Sequence, residues 1–331
     1  MRKVRIAQIG TSQYSHGNGI IASLKRQSDI FEIVGYAMPE QEREKFPKQM
    51  EAFADFRELT VEEILRDPTI EAVAIETEEI HLTKYAQMAA AAGKHIHMEK
   101  PGSQNLEAFE QLIETVRKNG TVFHTGYMYR YNPFVIELLE QIKRGELGEI
   151  ISVEAQMNCI HPPEVRQWLS SFQGGIMYFL GCHLLDLIVR MQGIPQRIVP
   201  YNRSTGLDGV TGEDFGMAVL EYPNGISIAR TSAVQLGGFA RRELVVTGSK
   251  KTVSLCPLEM YRGEELFTTR TDYTDDSWLE QGSSRESGLY DRYDGMMATF
   301  AAMVRGEKEN GYSLDYELAL YKLVLESCGV K

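Results

Sequence analysis

Short apolar runs alternate with helical patterns over residues 1–125, and this alternation constrains the fold more than any other feature of the sequence. The runs predicted as strands are Val4–Ile9, Phe31–Ala37, Ala72–Ile75, His95–Met98 and Val122–His124. Strands joined by helices at this spacing form βαβ units, which build a parallel sheet. The sequence therefore predicts a Rossmann-type α/β domain over residues 1–125, with its ligand at the carboxyl ends of the strands.

Residues typical of helix ends support this alternation. Thr60 and Glu63 fit a capping box, in which each side chain accepts a hydrogen bond from the other residue's backbone N–H. Asn105 is placed to cap another helix, and the alanine-rich stretch Leu82–Ala92 favours a third. A further helix is predicted over Ile20–Arg26, after the first strand and its loop.

The pattern changes from about residue 150, where strand-like runs follow one another without helices between them. These runs are Ile150–Met157, Arg197–Tyr201, Phe215–Tyr222, Ile226–Thr231 and Glu243–Thr247. Pro223-Asn224-Gly225 separates two of them and is a strong hairpin signal. Residues 126–331 are therefore predicted to form a second, α+β domain with a large, mostly antiparallel sheet. Helices are expected near Asp291–Arg305 and Asp315–Cys328, and the last could pack back on the first domain.

Length, charge and cysteine spacing narrow the class of protein. A chain of 331 residues suits two domains, and a formal net charge of −11 argues against binding nucleic acid. The four cysteines lie too far apart for a zinc site or a disulfide framework, so no metal is expected. No apolar run has the form of a secretory signal or the length of a membrane span. We therefore expect a cytoplasmic protein with no membrane partner.

The loop after the first strand is the first candidate site. It contains Gly10, Thr11, Ser12, Gln13 and Tyr14, and its strand–turn–helix context suits a phosphate-binding turn. Ser12 stands where the second glycine of G-x-G-x-x-G belongs, so the loop alone leaves two hypotheses open. One is a dinucleotide site, and the other is a glycine-rich turn in a flavodoxin-like domain that binds no dinucleotide.

The end of the second strand bears on the choice of cofactor. An acidic residue there would bind the adenosine ribose, and Glu40 is the nearest one. Arg43 and Lys45 follow, and they either meet the 2′-phosphate of NADP or are solvated surface residues. The choice between NAD and NADP stays open at this point.

Lys100 follows the strand His95–Met98 and precedes Pro101, which forces the chain out of helical geometry. A lysine at the ligand edge of a parallel sheet can donate a hydrogen bond or a proton to a substrate hydroxyl. The alternative is a solvated pair of Glu99 and Lys100 before a turn.

Farther along, His183 and Asp186 interrupt an apolar helical pattern over Leu180–Met191 and lie one turn apart. An imidazole ordinarily titrates near neutrality, so His183 suits a general base. The alternative is a core histidine that bonds a backbone carbonyl. Weaker candidates for the same role are His16, His124 and His161.

Several segments together resemble the Gfo/Idh/MocA family of dehydrogenases, named for glucose–fructose oxidoreductase and inositol dehydrogenase. Ala90–Pro101 is similar to the family's A-x-x-A-G-K-H-V-x-x-E-K-P. Tyr129–Pro133 with Gly145–Ile150 is similar to its R-F-N-P … G-x-I-G-x-I. Gly174–Asp186 is similar to its G-G-G-x-x-x-D-x-G-x-H-x-x-D. The likeness covers nearly the whole chain.

The resemblance implies hydride transfer between NAD or NADP and a secondary alcohol or ketone of a sugar, cyclitol or related polyol. In that family Lys100 would orient and polarise the hydroxyl, and His183 would accept or donate its proton. The other implied cofactor contacts are Thr77, His81, Glu99 and Pro101. The implied substrate contacts are Arg130, Asn132, Trp168, Tyr178 and Phe179. Assembly through the C-terminal sheet would give a homodimer or homotetramer.

The chain departs from the family at the same edge of the sheet. Phe179 replaces the aspartate that accompanies the catalytic histidine, and an apolar ring disfavours a charged His183. Glu78 replaces the proline of T-P-x-x-x-H. These departures keep two alternatives open: a catalytically impaired, dinucleotide-binding sensor, and an NAD-assisted elimination or glycoside cleavage. The dehydrogenase hypothesis requires Lys100 and His183 to face one hollow beside the nicotinamide.

Overall fold

The computed structural model describes residues 2–330, which divide into two compact units. The first unit contains the described residues up to Met128 together with Tyr293–Leu318. The second contains Tyr129–Arg292 and the described residues from Ala319 onward.

Within the described part of the first unit, five parallel strands form a sheet in the order β2-β1-β3-β4-β5. The strands are β1 Val4–Ile9, β2 Phe31–Ala37, β3 Ala72–Ile75, β4 His95–Met98 and β5 Phe123–Thr125. The predicted parallel sheet is confirmed, and β1 to β4 begin and end at the predicted residues. β5 begins one residue later than predicted, because the backbone N–H of Val122 donates to the ring Nδ1 of His95 at 3.0 Å instead of continuing the strand ladder.

Helices cover this sheet. They are α1 Gly17–Arg26, α2 Glu42–Lys45, α3 Val61–Arg66, α4 Leu82–Ala91, α5 Leu106–Asn119 and α9 Asp294–Val304. The predicted capping box of Thr60 and Glu63 is present, and the side chain of Asn105 caps α5. α1 begins at Gly17 rather than at the predicted Ile20. α9 is shorter than the predicted Asp291–Arg305. It is anchored to α1 by a hydrogen bond of 2.6 Å from the hydroxyl of Ser23 to Asp294.

The second unit contains the predicted large sheet, whose order is β15-β14-β11-β10-β6-β9-β8-β7. Its strands are antiparallel except for the parallel pair β6 and β9. The predicted strands are present as β6 Ile150–Asn158, β7 Arg197–Arg203, β8 Phe215–Tyr222, β9 Gly225–Ser232 and β10 Glu243–Gly248. The expected hairpin joins β8 to β9, with Tyr222 paired to Gly225.

Within residues 2–330, five further strands lack a strong sequence signal. They are β11 Thr252–Leu255, β12 Met260–Arg262, β13 Glu265–Phe267, β14 Thr269–Tyr273 and β15 Ser283–Glu286. Every residue of β15 is exposed, so that strand carries no apolar alternation by which to recognise it.

The helices of the second unit are α6 Pro133–Lys143, α7 Pro163–Trp168 and α8 Cys182–Gln192. The predicted helix Leu180–Met191 is divided, because a π-helical turn, Met177–Gly181, precedes α8. π-helical turns insert an extra residue into a helix and recur at functional sites. The last helix, α10 Leu314–Ser327, begins in the first unit and ends in the second. It begins and ends one residue earlier than the predicted Asp315–Cys328.

Short 3₁₀ turns complete the chain: Pro47–Phe53, Glu79–His81, Met128–Tyr131, Leu169–Ser171, Leu207–Gly209 and Phe239–Arg241. Between residues 2 and 330, every helix falls short of the length and apolarity that a membrane crossing requires. Over the same residues, His, Cys, Asp and Glu side chains form no group of three or more suited to a metal ion.

Candidate functional site

The loop between β1 and α1 lies against the end of β3. Gly10 has a φ of +86°, and a Cβ at this position would lie 2.4 Å from Cγ2 of Thr77. Glycine is therefore required here both by the backbone angle and by the close approach. Thr77 itself is fully buried beneath the loop.

Two serines organise the rest of this loop through reciprocal hydrogen bonds. The hydroxyl of Ser12 accepts the backbone N–H groups of Tyr14 and Ser15 at 3.3 and 2.9 Å. The hydroxyl of Ser15 accepts those of Ser12 and Gly17 at 3.1 and 3.3 Å. Ser12 thus stabilises the turn at the position where the dinucleotide motif has glycine. A phosphate that approached these N–H groups would compete with the two hydroxyls.

Glu42 is a buried acid that sequence reasoning did not identify. Its carboxyl group accepts the backbone N–H of Thr11 at 3.2 Å and that of Glu78 at 3.3 Å, so it links the glycine loop to the loop after β3. Burial raises the pKa of Glu42 to about 8, although these two N–H groups act in the opposite direction. In the sequence, Glu42 belongs to a charged run that looks like a solvated surface.

Glu40 follows β2 in left-handed geometry, with a φ of +57°. It accepts hydrogen bonds from Nζ of Lys84 at 2.5 Å and from the hydroxyl of Tyr85 at 2.8 Å. These two bonds, that of Lys84 first, lower the pKa of Glu40 to about 2. Nδ1 of His81 lies 3.9 Å from the same carboxylate. Glu40 is therefore ionised and fixed in position.

A cavity of about 520 Å³ opens beside Glu40. It is lined by the end of β2, the start of α3 and one face of α4, including Met38, Leu59 and Met88. Both basic candidates nearby have acidic partners. Arg43 donates to Glu58 and to the hydroxyl of Tyr36, and Lys45 donates to Glu78 at 2.9 Å.

Lys100 and Glu99 are each 1% exposed, so the hypothesis of a solvated Glu–Lys pair is wrong. Nζ of Lys100 lies 3.4 Å from Oε1 of Glu99. Burial raises the pKa of Glu99 to about 7, and the Lys100 ammonium opposes this shift. The carboxyl end of β4 thus places a buried ammonium where the sequence predicted a catalytic lysine. Pro101 follows Lys100 through a cis peptide bond.

In the second unit, His183 lies on the first turn of α8 and is 1% exposed. Its imidazole meets the ring of Tyr129 edge-on, with the ring centroids 5.4 Å apart. The hydroxyl of Tyr129 donates to Glu259 at 2.5 Å, and Arg242 and Arg292 also bind Glu259. Burial raises the pKa of Glu259, but Arg292 and Arg242 outweigh burial and hold the pKa below its ordinary value.

Asp186 lies one turn beyond His183 and binds Arg130. The guanidinium of Arg130 donates to it through Nε at 3.1 Å and through Nη2 at 2.8 Å, and both side chains are buried. Asn132 caps α6, and its amide donates to the hydroxyl groups of Thr268 and Tyr290. The structure thus gives Arg130 and Asn132 internal partners, and their contact with substrate stays a prediction.

The predicted aromatic contacts lie around the π-helical turn. Phe179 meets Trp168 edge-on, with centroids 5.2 Å apart, and Tyr178 lies 5.1 Å from Phe172. The structure brings Trp168 and Phe179 together, as a shared substrate pocket would require. Their contact with a substrate stays a prediction.

The weaker histidine candidates have different surroundings. Nδ1 of His16 is 2.6 Å from the hydroxyl of Tyr293, within the first unit. Nδ1 of His124 is 2.8 Å from Nδ1 of His97 across two adjacent strands. His161 is half-buried in the second unit, where burial lowers its pKa.

The five-stranded parallel sheet is of the type that binds dinucleotides at the carboxyl ends of its strands. The family described as "Oxidoreductase family, NAD-binding Rossmann fold" matches residues 4–127, and the GFO/IDH/MocA C-terminal domain matches residues 135–254. The chain belongs to the Gfo/Idh/MocA family of oxidoreductases, which confirms the resemblance read from its motifs.

The chain is 26% identical to an uncharacterized oxidoreductase, ORF334, of Rhizobium meliloti, over 80% of this chain and 78% of that protein. It is 27% identical to the scyllo-inositol 2-dehydrogenase (NADP(+)) IolW of Bacillus subtilis, over 42% of this chain and 39% of that protein. Levoglucosan dehydrogenase, solved with NADH and levoglucosan, shares the fold with a TM-score of 0.77 at 18% identity, over 99% of this chain and 98% of that one.

The residues of the first unit fit the NAD that its family binds. Gly10 lets the loop pack closely on Thr77 in left-handed geometry, and the cavity beside β2 carries an ionised acid suited to ribose hydroxyls. When bound, the nicotinamide would accept or donate a hydride.

Proposed function

We propose that this protein transfers a hydride between NAD or NADP and a secondary alcohol or ketone of a sugar, cyclitol or related polyol. The observation that carries the proposal is the buried Lys100 ammonium, 3.4 Å from Glu99, at the carboxyl end of β4. Burying an ammonium is costly unless the group is paired and hydrogen-bonded, and this edge is where parallel sheets bind ligands.

In the proposed oxidation, the ammonium of Lys100 binds the substrate hydroxyl and polarises it. The hydroxyl proton passes to His183, while the hydrogen on the same carbon leaves as a hydride. In reduction His183 returns the proton to the carbonyl oxygen. The buried imidazole packs edge-on against Tyr129, which restricts its motion and supports a role in proton transfer.

For the cofactor we propose a preference for NAD over NADP. Glu40 is held by Lys84 and Tyr85 as an ionised acceptor, which suits the ribose 2′-hydroxyl and repels a 2′-phosphate. Arg43 and Lys45 are already paired with Glu58 and Glu78, which supports the same preference. Titration of the protein with NAD and with NADP, monitored by protein fluorescence, tests this preference. Tighter binding of NADP than of NAD would overturn it.

We also propose a cytoplasmic homodimer or homotetramer that assembles through the large sheet. One face of this sheet carries half-buried apolar side chains on the strands β8, β9 and β10, which supports a protein contact. They are Phe215, Met217, Val219, Ile228 and Val245. Light scattering coupled to gel filtration would give the oligomeric mass, and Ile228→Asp should lower it. A monomeric wild-type protein would contradict the assembly.

A second candidate function is a dinucleotide-binding sensor without turnover. It is favoured by the loop of Ser12 and Ser15, whose hydroxyls already occupy backbone N–H groups that a phosphate would use. It is also favoured by Phe179 at the position of the family's aspartate.

Incubation of the purified protein with NAD or NADP and a panel of polyols and sugars separates these functions. Stoichiometric formation of reduced cofactor with an oxidised product supports the dehydrogenase. Cofactor binding without turnover of any panel member supports the sensor. Substrate cleavage without net reduction of the cofactor would contradict both functions and support the NAD-assisted elimination or glycoside cleavage.

A further inference from the structure

Three glutamates place their carboxyl groups in the interior of the first unit. Glu76 follows β3, Glu79 begins the next 3₁₀ turn, and Glu99 follows β4. Glu76 and Glu79 are 0% exposed and Glu99 is 1% exposed. Charged residues are rarely buried to this extent unless they are paired, so three acids in one interior call for a function.

The contacts of these acids are unusual. Among residues 2–330, the carboxyl oxygens of Glu76 and Glu79 have no hydrogen-bond partner. The nearest basic groups are Nζ of Lys100, 3.4 Å from Glu99, and Nε2 of His97, 3.5 Å from Glu76. A buried carboxyl group that has no hydrogen-bond donor from the protein is more stable in its protonated form than as a carboxylate.

The charge balance of the three acids depends on their neighbours. His97 lies on β4 and Lys100 follows that strand. Burial raises the pKa of Glu79, and Glu78, which precedes it, raises this pKa further. β5 contributes His124, whose Nδ1 lies 2.8 Å from that of His97. From α1, Gly17 lies so close that a Cβ there would be 3.2 Å from Cβ of Glu76. From α9, the apolar ring of Phe300 packs on both imidazoles.

Within this group the positive charge comes from Lys100. Burial lowers the pKa of His97 to about 3, so its ring is neutral. Burial also raises the pKa of Glu79 to about 7 and that of Glu76 well above its ordinary value. One ammonium balances one carboxylate, and the other carboxyl groups therefore retain protons near neutral pH.

We propose that Glu76, Glu79 and Glu99 form a proton-holding cluster that releases a proton when a second positive charge is placed beside Lys100. The inference rests on the proposed function, in which Lys100 binds the hydroxyl whose carbon exchanges a hydride with the nicotinamide, so the ring would bind beside Lys100. The oxidised ring is positively charged and the reduced ring is neutral. Binding of NAD⁺ is therefore linked to proton release, whereas binding of NADH is not.

Calorimetric titration of the complete protein tests the cluster without any turnover. NAD⁺ and NADH are each titrated at pH 7 in phosphate, imidazole and Tris buffers, whose heats of ionisation differ. The dependence of the binding heat on the buffer gives the number of protons released. We expect on the order of half a proton per site for NAD⁺ and close to none for NADH.

The variant Glu76→Gln keeps the shape of the side chain and removes its proton. It should lower the proton release linked to NAD⁺ by about twofold or more, and leave the NADH titration unchanged. Glu114→Gln is the matched control, because the Glu114 side chain is 76% exposed on α5. If Glu76→Gln does not fold, Glu79→Gln is used instead, with the same expected decrease in the proton release linked to NAD⁺.

Two results would overturn the cluster: an NAD⁺ heat that is independent of the buffer, or equal proton release with NADH. The proposed function fails differently. A protein that releases a proton on binding NAD⁺ but oxidises no alcohol retains the cluster and loses the dehydrogenase. An active dehydrogenase whose NAD⁺ binding releases no proton loses the cluster alone.

Discussion

The phenol ring of Tyr129 stands edge-on to the imidazole of His183, with ring centroids 5.4 Å apart and an interplanar angle of 90°. The same phenol donates to Glu259, which also binds two arginines. A histidine proposed to move protons is thus fixed against a ring that is itself anchored by a buried ionic network. Such anchoring keeps a proton-transferring group within reach of its substrate.

Tyr129→Phe should separate this anchoring from folding. The variant keeps the ring but leaves Glu259 and Arg242 without the hydroxyl, so the free energy of unfolding should fall by about 1–2 kcal/mol. Turnover should fall more than KM changes, because the substrate is still bound. Urea unfolding and steady-state kinetics measure the two effects. A variant with wild-type kcat would show that the phenol hydroxyl does not position His183.

Lys100→Ala tests the proposed catalytic lysine. Turnover should fall by roughly 100-fold or more, the usual scale for a positioned acid or base, while NAD affinity changes only a few-fold. Lys118→Ala, on the exposed face of α5, is the control for loss of a lysine. Comparison of kcat with the dissociation constant of NAD checks the prediction. Full activity of Lys100→Ala would show that Lys100 is not the catalytic lysine.

Phe179→Asp tests the departure from the family at the π-helical turn. A carboxylate in place of the ring that meets Trp168 favours a protonated His183, so the pH–rate profile should move to higher pH. Phe179→Leu keeps the site apolar and should leave the profile where it is. If the pH–rate profile of Phe179→Asp is identical to that of the wild type, residue 179 does not adjoin His183.

Ser12 should be important for the stability of the glycine loop. Ser12→Ala removes the acceptor of two backbone N–H groups, and we expect a loss of about 1 kcal/mol in the free energy of unfolding. Ser12→Gly restores the family's residue and frees the same N–H groups for phosphate. Urea unfolding measures the loss, and NAD titration of both variants measures the binding. Equal stability of wild type and Ser12→Ala would show that the loop does not depend on this hydroxyl.

Glu42 should make the free energy of unfolding fall as the pH rises. The folded protein keeps the proton of Glu42 up to about pH 8, whereas the unfolded chain loses it near 4.5. Between these values the unfolded chain binds fewer protons, so the free energy of unfolding declines with rising pH. Glu42→Gln should reduce this decline by on the order of 1–2 kcal/mol.

Urea unfolding at pH 5 and pH 8 measures the decline in wild type and variant. Glu76, Glu79 and Glu99 act in the same direction but are present in both proteins, so the difference between the two isolates Glu42. Glu114→Gln again provides the exposed control. A decline equal to that of the wild type would show that Glu42 is ionised in the folded protein at neutral pH.

The sequence alone determined the local structure and the family. β1 to β4 occur at the predicted residues, and so do the caps at Thr60 and Asn105, because apolar periodicity and capping are read from neighbouring residues. The motif around Lys100 identified the Gfo/Idh/MocA family for the same reason: its residues are consecutive.

Only the tertiary structure decided which polar side chains are buried and what they contact. Glu42 and Glu76 read as ordinary acids in sequence, and their burial follows from loops that pack over them. Tyr129 and Glu259 are 130 residues apart, so no local pattern could pair them. The exposed strand β15 was missed because its place is set by pairing with β14 rather than by its own apolar residues. Periodicity and capping are properties of adjacent residues, whereas desolvation and ion pairing depend on distant segments brought together by the fold.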